Sequence, residues 1–427
     1  MMESRRTASA SAPRPRFFYG WVIVVLAGLT QAISVGQSYL NGVLIASFND
    51  MFDVSTHSIL MATTGIMMVS YGIASTCFGM LSGRIALRYF AAIVFAAMAL
   101  GYLCLAAVNG IWQVGAVYAL LFGLGQIGLP ISQTMIAHWF VARRGIAFGI
   151  AACGLALPGF LVAPLMTYSI MHYGFSLTML VYGLLIAMFI PLILGLVIEW
   201  PEQLGLSPNG AAKPETAIRN AEETEPAMSS SELLKTPLFW LVAFTVTIGA
   251  MIVTQLMTYV VPMAKAANFD TQAASFFLSA IAFTALASKL ITGWLADRMP
   301  FKLLAVLPAL LVVISCLIFL VSTTFAGYLI ASLVAGLGGG TANIMIPMVI
   351  AKIFGRTSFA AVAGLTIPVL VVLSFTATWS TGHIVDLTGS YNFALRGFIA
   401  LATFGGILAL MLPDKQCVVA KRSTNDA

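Results

Sequence analysis

Along these 427 residues, polar and apolar positions fall into long apolar blocks separated by short charged punctuation. Stretches free of Asp, Glu, Lys and Arg cover 17–49, 54–83, 89–142, 145–198, 236–264, 271–288, 303–351, 357–385 and 397–413. A helix that crosses a bilayer needs ~20 predominantly apolar residues. Blocks of 33, 30, 29 and 29 residues, with the two shortest, predict one crossing each, and blocks of 54, 54 and 49 predict two. The concealed turns are expected at Asn109-Gly110, His172-Tyr173-Gly174 and Ser322-Thr323-Thr324, where polar or glycine clusters interrupt the apolar pattern. The count is twelve helices, six before residue 200 and six after residue 236.

Composition agrees, with 60% hydrophobic and 8% charged residues against ~25% charged in soluble domains. A soluble enzyme is excluded. Of the 21 Lys and Arg, 18 fall in the tail before residue 17, at Arg84 and Arg88, at Arg143 and Arg144, in the 200–236 segment, at Arg298 and Lys302, at Lys352 and Arg356, or after residue 413. On an alternating twelve-helix path these positions share one side, leaving Lys265, Lys289 and Arg396 as exceptions. The positive-inside rule makes that side the cytoplasm and places both termini there, in a multi-pass protein of the cell membrane. The net charge of +6 is then a topology signal, and no nucleic-acid partner is expected. Arg5, Arg6, Arg14 and Arg16 suit a transit peptide, but Glu3, the prolines and the long span that follows favour a cytosolic tail.

The expected order is therefore a tail over 1–16, a six-helix half over 17–199, a cytoplasmic loop over 200–236, a second half over 237–413 and a tail over 414–427. The loop carries Pro201, Pro208, Pro214 and Pro226, with seven Glu from Glu199 to Glu232, and reads as a flexible tether. Cys77, Cys104, Cys153, Cys316 and Cys417 are odd in number and read as packing residues. His57, His138, His172 and His383 lie near span ends without metal-ligand spacing, and only His383 is a candidate proton-sensitive group. The glycines from Gly336 to Gly340 lack the context of a phosphate loop and read as close helix packing. Neither cofactor nor metal is expected.

The two halves echo each other. Gly79-Met80-Leu81-Ser82-Gly83-Arg84 recurs 214 positions later as Gly293-Trp294-Leu295-Ala296-Asp297-Arg298, and Gly123-Leu124-Gly125 matches Gly336-Leu337-Gly338. An all-α membrane protein of twelve helices in two parallel six-helix repeats resembles the major facilitator fold, which implies a substrate site near mid-membrane between the halves. The turn at 293–298 resembles that superfamily's loop motif, whereas the first copy has Gly83 where Asp is usual and Ala86 where Gly is usual. Tyr19-Gly20-Trp21, Trp139-Phe140 before Arg143-Arg144-Gly145, and Gly382-x-x-x-Asp386-x-Thr388-Gly389-Ser390-Tyr391 resemble the monocarboxylate transporters and bacterial oxalate/formate antiporters.

Lys289 is the one ionisable residue well inside a span, and no span carries an acid to pair with it. An unpaired cation at that depth costs several kcal/mol, so such residues are functional by default. Snorkelling to the headgroups is the bland alternative. Thr284, Ser288 and Thr292 recur beside it as a polar stripe expected to face the bundle interior. The resemblance implies a basic residue here, usually Arg, with Gly four and an acid eight positions on, matched by Gly293 and Asp297; Lys289 then receives the substrate carboxylate. Lys lacks the bidentate fork of Arg, and Ala285 stands where proton-coupled animal members carry an acid. The resemblance also makes helices one, four, seven and ten line the cavity, so Tyr39, Gln126, Gln255, Tyr259 and Asn343 are candidate substrate contacts. Interhelical hydrogen bonding explains each equally well. Tyr71 and Trp379 read as packing. Asp297, against the start of the fifth helix with Arg143 and Arg144, is the expected gate.

The expected function is secondary active transport of a small organic monocarboxylate by alternating access, with a proton or counter-anion as possible coupling partner. The rivals are a proton-driven exporter of hydrophobic compounds and a transport-inactive sensor. An intramembrane enzyme finds no catalytic pair.

Overall fold

The computed structural model describes residues 18–52, 59–141, 143–155, 157–208 and 228–413, without the side chains of Tyr39, Ala46, Asp50, Phe160 and Thr271. The expectations for both tails and for most of the 200–236 loop lie outside these residues. Among the described residues the chain forms twelve helical crossings. The first half holds α1 (Gly20–Phe52), α2 (Met61–Leu81), α3 (Leu87–Leu105), α4 (Ile111–Trp139), α5 and α6 (Phe175–Leu196). Here α5 comprises Arg144–Leu155, Pro158–Val162 and Ala163–Tyr173. The second half holds α7 (Pro237–Ala266), α8 (Thr271–Ala296), α9 (Phe301–Val321), α10 (Phe325–Phe354), α11 (Phe359–Thr388) and α12 (Asn392–Leu410).

Helix is what these apolar blocks must form, because inside hydrocarbon every backbone N–H and C=O has to be satisfied within the segment. The ends fall where local chemistry stops the ladder. Asp270 caps α8 by accepting from the Ala273 N–H at 2.8 Å, and Thr324 caps α10 by accepting from Gly327 at 3.2 Å. All three concealed turns lie where expected, at the α3–α4, α5–α6 and α9–α10 junctions. The departure from regularity is α5, which passes through a 3₁₀ turn at Cys153–Leu155 and a π segment at Pro158–Val162. Pro158 and Pro164 each remove a ladder donor there.

Two contact surfaces join the halves: α2 against α11, and α5 against α8. Both run through glycine. A Cβ on Gly145 would enter the Gly293 carbonyl, and one on Gly293 would lie 2.5 Å from the Gly145 carbonyl. At the other surface, a Cβ on Gly364 would sit 2.6 Å from the Ser75 carbonyl, whose side chain donates to the Gly364 carbonyl at 3.0 Å. Gly79 and Gly293 are the repeat-related glycines, so the internal repeat is spent on the same task in each half. Small residues let helix backbones approach, and van der Waals packing replaces the missing hydrophobic drive.

These contacts concentrate at the end that carries most basic residues. One apolar cluster fills the first half and crosses at that end to Ile350, Phe354, Phe359 and Leu365. A second cluster, from Ile248 to Ala402, contains second-half residues alone among those described. The molecule is thus closed at its basic end and parted toward the opposite end.

Candidate functional site

Lys289 lies on α8 with 8% of its surface exposed, and among the described residues no carboxylate pairs with it. Its backbone carbonyl abuts α5, 3.0 Å from where a Cβ of Gly149 would be, and Cys153 of α5 is close enough to interact electrostatically. Lys289 therefore occupies the face of α8 turned to the other half. The polar stripe beside it does something else. Ser288 donates to the Leu337 carbonyl at 2.7 Å and lies 3.0 Å from the Thr341 hydroxyl, which in turn lies 3.0 Å from Thr292. The stripe faces the bundle interior as expected, where it packs on α10 within its own half. One residue of helical rotation, ~100°, separates Ser288 from Lys289 and gives them different neighbours.

The other candidates separate into groups. Gln255 donates to the Ser374 carbonyl at 3.2 Å and exchanges hydrogen bonds with Thr378 at 3.0 and 3.1 Å, and Tyr259 donates to the Thr378 carbonyl at 2.9 Å. Both are engaged in clasping α7 to α11. Gln126 is 5% exposed and donates to Ser38 on α1 at 3.4 Å. Asn343 is exposed and donates to its own helix at Gly339, 3.0 Å away. The Tyr39 side chain lies outside the described residues. Tyr71 is buried with its hydroxyl unpaired, whereas Trp379 is exposed and stacked 5.5 Å from His383.

Asp297 sits at the end of α8, and its two carboxylate oxygens accept from the backbone N–H groups of Gly145 at 3.0 Å and Ile146 at 3.2 Å. These are orphan donors at the start of α5, where the helix dipole also favours an anion. The arginines take other partners. Arg144 donates to the carbonyls of Phe140 at 2.6 Å and Ala351 at 3.1 Å, joining α4 to α10, while Arg143 is exposed.

Three features escaped sequence reasoning. Gln31, Leu129, Gln133, Phe148, Ala152, Leu155, Asn343, Ile344 and Pro347 line a narrow cleft bounded by α1, α4, α5 and α10. Gln31 and Gln133 were as visible in their apolar blocks as Gln126. Toward the opposite end, Gln37, Asn41, Thr64, Tyr102 and Tyr118 form a buried network across α1 to α4, in which Gln37 donates to Tyr118 at 2.9 Å and Tyr102 donates to Gln37. Finally, the start of the segment after α6, from Trp200 to Glu202, forms a strap. Trp200 stacks on His138 at 3.7 Å and lies under Arg356 at 5.0 Å, and Glu202 pairs with Arg356 at 3.0 Å, linking the halves. Glu199 accepts from the Leu87 N–H at 3.4 Å, and burial holds its carboxyl above the usual range despite that bond and nearby Arg88.

Known proteins carry the same architecture. Residues 22–367 match the family profile of the Major Facilitator Superfamily. Monocarboxylate transporter 12-B of Danio rerio is 26% identical over 317 residues, spanning 67% of this chain and 65% of that protein. Monocarboxylate transporter 13 of Bos taurus is 24% identical over 403 residues, spanning 92% of this chain and 89% of that protein. Among solved structures, the proton:xylose symporter XylE superposes with a TM-score of 0.71 at 13% identity, over 93% of this chain and 97% of that one. The chain belongs to the major facilitator superfamily.

Proposed function

We propose that this protein is a secondary active transporter that moves small organic monocarboxylates by alternating access, with Lys289 receiving the carboxylate. The observation that carries the reading is a buried cation, without a carboxylate partner among the described residues, on the face of α8 that meets the other half. A group so placed needs an anion to offset its desolvation. Families of this fold alternate by rocking one half against the other around a midplane site, and the closed basic end is one terminus of that motion. The basic end is cytoplasmic and both tails lie there, in the cell membrane. A proton or a counter-anion is the coupling partner.

Charge arithmetic sets the selectivity. A monoanion beside Lys289 makes a neutral pair, whereas a dianion leaves about one uncompensated charge, which costs several kcal/mol to bury. Monocarboxylates are preferred at least tenfold, about 1.4 kcal/mol. Uptake into proteoliposomes tests this. Lys289→Gln abolishes uptake while the protein still inserts, and Lys289→Arg retains part of it. Equal transport of a dicarboxylate, or normal uptake by the Gln variant, refutes the role of Lys289.

A further inference from the structure

The seam between α5 and α8 is tightest at its basic end and loosens along its length. A Cβ on Gly145 would enter the Gly293 carbonyl, whereas one on Gly149, a turn further on, would lie 3.0 Å from the Lys289 carbonyl. Cys153 is the next residue on that line of α5, four positions beyond Gly149, and it is only half-buried. It stands where the two halves begin to part.

Composition makes Cys153 a packing residue, but its surroundings give it more to do. It opens the 3₁₀ turn Cys153–Leu155, which lies so close to α1 that a Cβ on Gly154 would enter the Gly28 carbonyl. The backbone there is fixed and the thiol is aimed: Sγ donates to the Gly149 carbonyl at 3.5 Å, back toward the turn that meets Lys289. Across the seam the Lys289 side chain is 8% exposed and holds neither a hydrogen bond nor an ion pair among the described residues. Cys153 is within its electrostatic reach.

A desolvated ammonium without a partner needs an anion. Lysine is a compact point charge, without the planar fork by which arginine grips both carboxylate oxygens, so a second group has to orient the anion. The hydroxyls beside Lys289 on α8 are occupied, Ser288 and Thr292 being bonded to Leu337 and Thr341 of α10. The Cys153 thiol offers a weak S–H donor, a polarisable sulfur and little bulk. Its acceptor is a carbonyl of its own helix, and rotation about χ1 exchanges that carbonyl for another acceptor.

We infer that Cys153 is the first half's contribution to the anion site, so that a bound carboxylate lies between the Lys289 ammonium and the Cys153 thiol. This rests on the reading of Lys289 as the carboxylate receptor and adds a substrate contact from the opposite half. An anion held in this way touches both halves at the depth where they part.

The test uses the purified full-length protein with Cys77, Cys104, Cys316 and Cys417 replaced by serine, which leaves Cys153 as the one thiol. Formate, acetate, lactate and benzoate are screened for thermal stabilisation, and the acid with the largest shift is the probe. Two methanethiosulfonates of similar size, the anionic sulfonatoethyl and the cationic trimethylammonioethyl reagent, then report on Cys153. In each the thiolate attacks the sulfenyl sulfur, a disulfide forms, methanesulfinate leaves with the electron pair and the thiol proton goes to water. Their rate ratio cancels the ionisation of the thiol itself. The anionic reagent should react at least tenfold faster than the cationic one, and Lys289→Gln should bring the ratio within twofold of one. Saturating probe acid should slow labelling of Cys153 at least fivefold more than labelling of Ser38→Cys, exposed on the parted side, in protein whose five native cysteines are serine. An unreactive Cys153, a reagent preference that is absent or survives Lys289→Gln, or a thiol left unshielded in protein that the acid stabilises overturns the inference and leaves Lys289 as receptor. Equal shielding at both positions marks closure of the opening instead of contact, and overturns it as well. If no acid stabilises the protein, the Lys289 reading falls and takes this one with it.

Discussion

Replacing Asp297 by Asn should tip the carrier away from the closed basic end, and the size of the effect follows from two hydrogen bonds. The carboxylate accepts from Gly145 at 3.0 Å and from Ile146 at 3.2 Å. The amide keeps one acceptor, presents an NH₂ where the second acceptor stood and loses the charge that faces the α5 dipole. A hydrogen bond to a charged group contributes about 1.5–3 kcal/mol and a neutral one about 1 kcal/mol, and the dipole adds about 0.3–1 kcal/mol. Asp297 is half-buried, so solvent screening brings the total down to about 1–2 kcal/mol. The closed-to-open ratio then falls five- to thirtyfold. The reporter is Ala351→Cys on α10, a fully buried position whose carbonyl, not side chain, meets Arg144. In a background free of the native cysteines, its alkylation rate in detergent should rise by that factor with Asp297→Asn. Ser38→Cys, exposed on the parted side, should react more slowly in the same variant. A change below twofold at Ala351→Cys, or a rise at both reporters, refutes the lock, the second result marking general loosening.

The strap makes a second, independent contribution. Arg356→Gln removes the bidentate pair with Glu202 at 3.0 and 3.3 Å and the contact over Trp200, and should speed labelling of Ala351→Cys about fivefold, equivalent to about 1 kcal/mol. Combined with Asp297→Asn, the two effects should add to within about 0.5 kcal/mol, because the locks share no partner; a strongly non-additive double variant contradicts separate locks. Sidedness is tested by single cysteines at Lys235 and Tyr173, both exposed: an impermeant maleimide applied to whole cells should modify Tyr173→Cys and spare Lys235→Cys, and the reverse pattern inverts the assignment.

The sequence reveals the crossings and the duplication because both are written in composition. Apolar blocks bounded by charge locate each span, and Gly79 and Gly293 recur at a spacing that any comparison of the halves exposes. Lys289 and Asp297 stand out for the same reason, as rare charges in an apolar chain. What the pattern does not carry is rotational phase. A helix apolar on every side has no face marked for lipid, for its own half or for the other half, so the Thr284–Ser288–Thr292 stripe pointed to the bundle interior without naming the helix it meets. It meets α10 through Thr341, a residue 49 positions from Thr292 that nothing in sequence pairs with it. The same loss of phase hid Gln31 and Gln133, which line a cleft assembled by four helices. The Trp200–Arg356 contact was hidden by composition, since prolines and glutamates describe the segment as a tether while one tryptophan anchors it.

The repeat also explains why the central segment is anchored. Duplication supplies two equivalent surfaces, α5 on α8 and α2 on α11, each with a glycine at closest approach. On the first, Asp297 fills the orphan donors of the neighbouring helix. On the second, the equivalent position is Gly83, and a Cβ there would meet nothing within 4 Å. The chain fills that gap from the segment between the halves: Ser230 donates to the Gly79 carbonyl at 3.4 Å, and the Met228 N–H donates to Ser358 at 3.2 Å, at the start of α11. A charged latch on one side is thus matched by a neutral, loop-borne latch on the other. The neutral latch is insensitive to salt, whereas the Asp297 and Arg356 contacts weaken as ionic strength screens them. Raising salt should therefore speed labelling of Ala351→Cys in the parent protein, and leave little further effect once Asp297→Asn and Arg356→Gln are combined. A full salt response in that double variant would place the sensitivity elsewhere and remove the asymmetry from the gate.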